Sequence, residues 1–212
     1  MDLSIEQKHI KSGRSFIIGI DEAGRGPLAG PVVAAALFLS SDFNFHTAEN
    51  QKEFLKIKDS KKITPKGREK LFDFLTASKD VKYGIGIVTE KIIDEKNILQ
   101  ATLMAMKKAV DDLLKKEPKI NLQNSIVLID GRDIVEDLNL DQKAIIGGDD
   151  KVWSIAAASI IAKVTRDRMM QKYHEKYPQY CFDRHKGYGT KLHFEMIEKY
   201  GPCEIHRKTF ID

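Results

Sequence analysis

Ser15-Phe16-Ile17-Ile18-Gly19-Ile20-Asp21-Glu22-Ala23-Gly24-Arg25-Gly26-Pro27-Leu28-Ala29-Gly30-Pro31-Val32-Val33 places a glycine-rich turn between two strand-like runs. Ser15 to Asp21 has strand composition, the glycines and Pro27 force a turn, and Pro31 to Leu39 reads as a second strand. Two acids, Asp21 and Glu22, end the first run. A buried, purely structural strand does not carry two charges without partners. Carboxylates at a strand end, beside backbone freed by glycine, can receive a metal ion and a phosphate together. Adjacent strand residues face opposite sides of a sheet, so both acids serve one site only if the pleat breaks there. The glycine spacing is G-x-G-x-x-x-G and a strand follows, so the dinucleotide fingerprint fails twice. Two readings of the turn remain: a loop whose backbone approaches nucleic acid with Arg25 on phosphate, or a hairpin connection with a solvated Arg25.

Outward from this stretch, Val81–Val88, Ser125–Asp130 and Ala144–Ile146 complete five strand-like runs. The first three form an antiparallel set, and helices separate the last two, which predicts parallel pairing. Helices are predicted over Pro65–Ala77, Asn97–Lys116, Trp153–Tyr177 and Thr190–Lys199. Leu99, Leu103, Met106, Val110 and Leu113 recur at helical spacing in the second. The third is small and apolar at first, then charged. This order predicts an α/β fold with a five-stranded mixed sheet flanked by helices, in a single domain over 1–212 with a helical C-terminal part over 178–212. The 212 residues carry a formal charge of +4, a mild lean towards an anionic partner. Cys181 and Cys203 have no framework spacing and read as free thiols, with a disulfide as the alternative. Met1 to Arg14 lacks an apolar signal core, and no run approaches the roughly 20 apolar residues of a membrane span. A cytoplasmic protein without a membrane partner is expected.

Two further acid units repeat the opening pattern. Val127-Leu128-Ile129-Asp130-Gly131 is an apolar strand ending in Asp and Gly, and Ile145-Ile146-Gly147-Gly148-Asp149-Asp150 ends in two acids. Asp before Gly after a strand is also ordinary turn chemistry. Three such units in one chain point instead to converging carboxylates at the strand ends of an open α/β sheet. Carboxylates that converge repel one another unless protons or cations intervene, and hard oxygen ligands select Mg²⁺ or Mn²⁺. Beside a phosphodiester, such a set supports two-metal hydrolysis.

Taken in order, the blocks Gly19 to Pro27, Asp59-Ser60-Lys61-Lys62, Ile129-Asp130-Gly131, Gly148-Asp149, Ser154 to Asp167, His185-Lys186-Gly187-Tyr188-Gly189-Thr190 and His206-Arg207 resemble the ribonuclease HII family. The resemblance covers about 14–210. It implies an RNase H-like fold and an endoribonuclease that cleaves the RNA strand of RNA–DNA hybrids. It also implies incision 5′ to single ribonucleotides in duplex DNA, leaving 3′-hydroxyl and 5′-phosphate ends. The implied catalytic and metal-binding acids are Asp21, Glu22, Asp130 and Asp149, holding two divalent ions, Mn²⁺ or Mg²⁺. Asp149 rather than Asp150 matches the family's Gly-Asp. Gly24, Arg25 and Gly26 match the family's junction-reading loop, and Tyr188 its ribose-sensing tyrosine. A 2′-hydroxyl is what distinguishes RNA from DNA locally, and backbone groups at two glycines can reach one.

Ser60, Lys61 and Lys62 take family positions that imply phosphate contacts, with a solvated loop as the bland alternative. Lys163, Arg166 and Arg168 lie on the charged half of a helix, and Lys163 and Arg166, three apart, share a face, which predicts phosphate-backbone contact there with the Arg166–Asp167 neighbourhood partly structural. His185, His193 and His206 lack metal spacing and are read as helix packing or phosphate contacts. Glu136 to Asp141 is read as a solvated acidic loop. The expected partners are RNA–DNA hybrids and ribonucleotide-containing duplex DNA, bound by a monomer. The short tail after Phe210 leaves little room for a clamp-binding peptide. Two other classes remain open: another RNase H-like nuclease such as a junction resolvase, and a non-catalytic hybrid-binding protein.

Overall fold

The computed structural model describes residues 3–40, 51–54, 56–79, 81–120 and 122–211. Strands β1 (Phe16–Ala23), β2 (Val32–Ser40), β3 (Lys82–Val88), β4 (Ser125–Asp130) and β5 (Asp141–Ile145) form one sheet in the order β3-β2-β1-β4-β5. β2 pairs antiparallel with β1 and β3, whereas β4 runs parallel to β1 and β5 parallel to β4. The expected mixed sheet is therefore present. Its β5 starts at Asp141 rather than Ala144, because an edge strand paired on one side tolerates the polar Asp141-Gln142-Lys143 that conceals it in the sequence.

The helices are α1 (Ser4–Lys11), α2 (Gln51–Phe54), α3 (Pro65–Ala77), α4 (Glu90–Lys96), α5 (Ile98–Lys116), α6 (Gly148–Lys151), α7 (Trp153–Lys176), α8 (Phe182–His185), α9 (Lys191–Tyr200) and α10 (Lys208–Ile211). The four long predicted helices appear within a residue of their expected limits. Three carry side-chain caps: Thr64 accepts from the Gly67 amide, Asn97 from Gln100 and Thr190 from His193. The short helices have too few turns to write a period into the sequence.

Strand alternation sorts the core into two layers. Ile17, Leu37 and Leu128 pack with the apolar half of α7, and Ile18, Ile20, Ala34, Ala36 and Val127 pack with α5. Every residue of α7 from Trp153 to Ala162 is buried. It lies so close to the sheet that a Cβ on Gly19 would meet the Ser154 carbonyl carbon at 2.3 Å. The stretch 136–141 is not wholly solvated as expected: Leu138, with Val135 beside it, is buried in the α5 layer. Gln142 holds this loop down, accepting from the Val135 amide and donating to the Val135 and Leu138 carbonyls. A third cluster, Ala29, Met170, Tyr180, Phe182 and Ile205, joins the C-terminal segment to the turn after β1. Cys181 and Cys203 are free thiols. No helix of the described residues is long and apolar enough to cross a membrane.

Candidate active site

β1 and β4 are parallel, so their C-terminal ends meet at one edge of the sheet. Asp21 and Asp130 each follow the Ile20–Ile129 pair by one residue and share the strand parity that faces α7. After β5, Gly147 takes a left-handed φ of 65° and turns the chain into α6, which carries Asp149 to the same place. One carboxylate oxygen from each of Asp21, Asp130 and Asp149 lies within 4.8 Å of the others. Asp150 faces away and binds Lys62 Nζ at 2.5 and 2.6 Å, so geometry separates the two neighbouring acids. The Gly148 amide donates to Asp130 Oδ1 at 2.6 Å, and Lys61 Nζ donates to Asp149 Oδ2 at 3.1 Å. Burial, followed by the charges of Glu22 and Asp130, pushes the Asp21 carboxyl well above the usual carboxylate range. Burial and then Asp149 raise Asp130. A proton or a cation must relieve this repulsion.

Glu22 reaches the site differently from what the sequence suggests. The pleat does not break at Asp21-Glu22, because β2 pairs with β1 through Ala23–Val33. Glu22 therefore leaves the opposite face of the strand and approaches the trio from the sheet edge. Its Oε1 lies 3.4 Å from Arg25 Nη1, and its buried Oε2 has no hydrogen-bond partner. Burial raises this carboxyl also. An orphaned carboxylate oxygen beside three converging carboxylates fits a hard divalent cation, for which an all-oxygen donor set is suited.

A cleft of about 250 Å³ opens over the acids, lined by Asp21, Glu22, Ala23, Gly24, Arg25, Gly26, Ser60, Lys61, Asp130, Lys163 and Tyr188. Most residues singled out for substrate contact thus meet in one cavity. Two buried arginines build its wall from behind. Arg207 donates to the carbonyls of Gly24, Arg25 and Gly30 at 2.6–3.0 Å. Arg166 donates to the carbonyls of Pro31, Lys186 and Ala29 at 2.9–3.0 Å. Gly24 has φ +100°, and a Cβ there would sit 2.1 Å from Arg166 Nε, so no other residue fits. The partly structural reading of the Arg166 neighbourhood is the one that fits: Arg166 is fully buried and not on the surface for phosphate, and its guanidinium is committed to carbonyls that ordinary secondary structure leaves unpaired. Arg168 turns from the cleft and pairs with Glu69 and Asp73. Lys163 pairs with Asp167 at 2.8 Å and lies 5.4 Å from the centre of the Tyr188 ring. Tyr188 is 41% exposed at the cleft rim. Arg207 had no assigned role in the sequence; its only signal was its place in the His206-Arg207 block. His185, His193 and His206 pack together in the interior, as helix packing predicts.

Comparison with solved structures gives the class. The ribonuclease H2 of Pyrococcus horikoshii aligns with a TM-score of 0.70 and 30% identity, covering 92% of this chain and 93% of that one. The ribonuclease HII of Archaeoglobus fulgidus, solved in complex with PCNA, aligns at 0.67 and 25% identity over 91% and 94%. The fold is RNase H-like, and the chain is a ribonuclease H-type enzyme. The Ribonuclease HII family model matches residues 18–212. The Ribonuclease HII of Caldicellulosiruptor saccharolyticus is 49% identical over 207 residues, 98% of this chain and 92% of that protein. That of Acetivibrio thermocellus is 52% identical over 97% of this chain and 73% of its own length. The chain belongs to the ribonuclease HII family.

Proposed function

We propose that the enzyme hydrolyses the RNA strand of RNA–DNA hybrids and incises 5′ to single ribonucleotides in duplex DNA, leaving 3′-hydroxyl and 5′-phosphate ends. The observation that carries this reading is the shared cleft. Acids suited to divalent ions, a glycine loop able to approach a ribose, and a rim tyrosine line one cavity. In this reading Asp21, Glu22, Asp130 and Asp149 hold two divalent ions, Mn²⁺ or Mg²⁺. A ribonuclease HIII with the same fold has been solved with Mn²⁺. Bound ions would supply an activated water and neutralise charge on the leaving oxygen.

The chain's own groups select and align the substrate. Amides of the Gly24–Gly26 loop, held by Arg207, meet the 2′-hydroxyl, and the Tyr188 ring stacks on the neighbouring sugar. Lys163 and Arg25 take the flanking phosphates, and Ser60 and Lys61 steady the loop beside Asp149. Lys62, paired with Asp150, extends the positive rim. The enzyme acts as a single-domain monomer, and its two free thiols accord with a reducing cytoplasm.

The test is a duplex with one ribonucleotide, incubated with Mn²⁺ or Mg²⁺. Incision on the 5′ side of the ribose is expected. Cleavage of branched all-DNA substrates alone would favour a junction resolvase, and binding without cutting a hybrid-binding protein.

A further inference from the structure

The Tyr188 ring is 41% exposed and meets the cations of Lys163 and Arg166 at 5.4 and 5.8 Å. The polar groups of its backbone are tied down on both sides. The Tyr188 amide donates to the His185 carbonyl at 2.9 Å, and its carbonyl accepts from the Thr190 amide at 2.8 Å. A second donor reaches that carbonyl, His193 Nδ1 at 3.0 Å. His193 Nε2 lies 3.0 Å from His206 Nε2. His206 Nδ1 in turn faces the Cys203 amide at 2.8 Å.

Hydrogen-bond balance fixes every proton in this chain. The Cys203 amide can only donate, so His206 Nδ1 accepts and His206 carries its proton on Nε2. The Cys203 carbonyl, 3.3 Å from that Nδ1, already accepts the His206 amide at 3.0 Å. His206 Nε2–H then donates to His193 Nε2, which leaves the His193 proton on Nδ1, facing Tyr188. One directed line runs from Cys203 through two imidazoles to the Tyr188 carbonyl. His193 is fully buried and His206 is 2% exposed, with Phe182 and Tyr180 rings against them. His185 stacks on His193 at 4.3 Å. Neither His193 nor His206 lines the cleft. Burial holds His193 down to about 4, so it is neutral in the working range. A second proton on its Nε2 would face the proton that His206 donates there.

We propose that His206 and His193 are positioning residues that hold Tyr188 at the height and tilt needed to sense a ribose. This rests on the ribose-sensing role proposed above for Tyr188. A purely structural role would weaken folding alike for any replacement. A positioning role depends on the donor at Nδ1.

His193→Asn keeps a donor near the Nδ1 position, and His193→Leu removes it. Both leave His206 without its acceptor, so the pair isolates the contact to Tyr188. kcat and KM on the single-ribonucleotide duplex are measured below the melting temperature of each variant. His193→Leu is expected to lose on the order of 10–10²-fold in kcat with KM little changed, the scale of a small misplacement at a reacting centre. His193→Asn is expected to recover most of that loss. Equal kcat values for the two variants would overturn the proposal. Imidazole ¹⁵N spectra of the wild type give a readout that needs no activity. A proton on His193 Nδ1 and on His206 Nε2 is expected, and the opposite tautomer at either ring would overturn the chain. Absence of incision by the wild type would instead withdraw the function proposed above.

Discussion

Asp149 and Asp150 are neighbours with different surroundings. Asp149 is turned into the acid cluster and Asp150 out to Lys62, and the step of about 100° between neighbours on a helix makes the difference. Charge at Asp21 and Asp130 is destabilising until a counterion arrives. Asp130→Asn is therefore expected to lower cleavage on the order of 10²–10³-fold, the scale of losing one electrostatic partner of a transition state. Duplex binding should persist, and the metal-free protein should melt at the same or a higher temperature because one repulsive charge is gone. Cleavage assays, gel shifts and thermal melts check the three parts. Unchanged turnover would remove Asp130 from the site. Tyr188→Ala concerns an exposed ring, so its stability change should stay within about 0.5 kcal/mol. Incision at single ribonucleotides should fall more than cleavage of long hybrids, as read by comparing the two substrates. Equal losses on both would make Tyr188 a general duplex contact.

Between the residues and the fold stand two elements that do more than support the sheet. α7 is small and buried in its first half because it lies against β1 at Gly19. Gly19→Ala forces a Cβ into the Ser154 backbone, with no flexible side chain to give way. A loss of about 1–3 kcal/mol in urea unfolding is expected, the usual scale of overpacking. A neutral outcome would mean that α7 can ride away from the sheet. The turn after β1 is held by Arg207, whose fork spans three carbonyls. Arg207→Lys keeps the charge and loses the fork. Lower stability together with weaker discrimination between ribose and deoxyribose is expected from paired melting and cleavage assays. Full discrimination in a correctly folded variant would show that the turn holds its own shape.

Across the molecule, the acid cluster couples folding to pH and to metal. Asp21, Glu22 and Asp130 all titrate above their ordinary values in the folded chain. Their contribution to stability is full below the unfolded carboxylate values, and it is lost as pH rises through the raised folded values. A divalent ion that binds the ionised form reverses this trend. The rise in melting temperature on adding Mn²⁺ or Mg²⁺ should therefore be larger at about pH 8 than at about pH 5. Melts against a chelator control measure it. An equal shift at both values would detach the metal from these carboxylates.

Much of this was legible in a linear reading. Strands flag themselves by β-branched runs, helices by spacing and capping, and the acids by ending strands before glycine. These are near-neighbour properties, so a five-stranded mixed sheet, the acids Asp21 and Asp130 and the Asp149-Asp150 pair emerge without coordinates. The inward turn of Arg166, the edge approach of Glu22, the clamp by Arg207 and the histidine line to Tyr188 do not. Each depends on which distant segment comes to lie beside a long or polar side chain: Pro31 lies 135 positions from Arg166, and Gly24 lies 183 from Arg207. A buried arginine and a phosphate-binding arginine look alike in a linear reading. They differ only in whether carbonyls or solvent surround the guanidinium, and that is settled when the C-terminal segment docks onto the turn after β1.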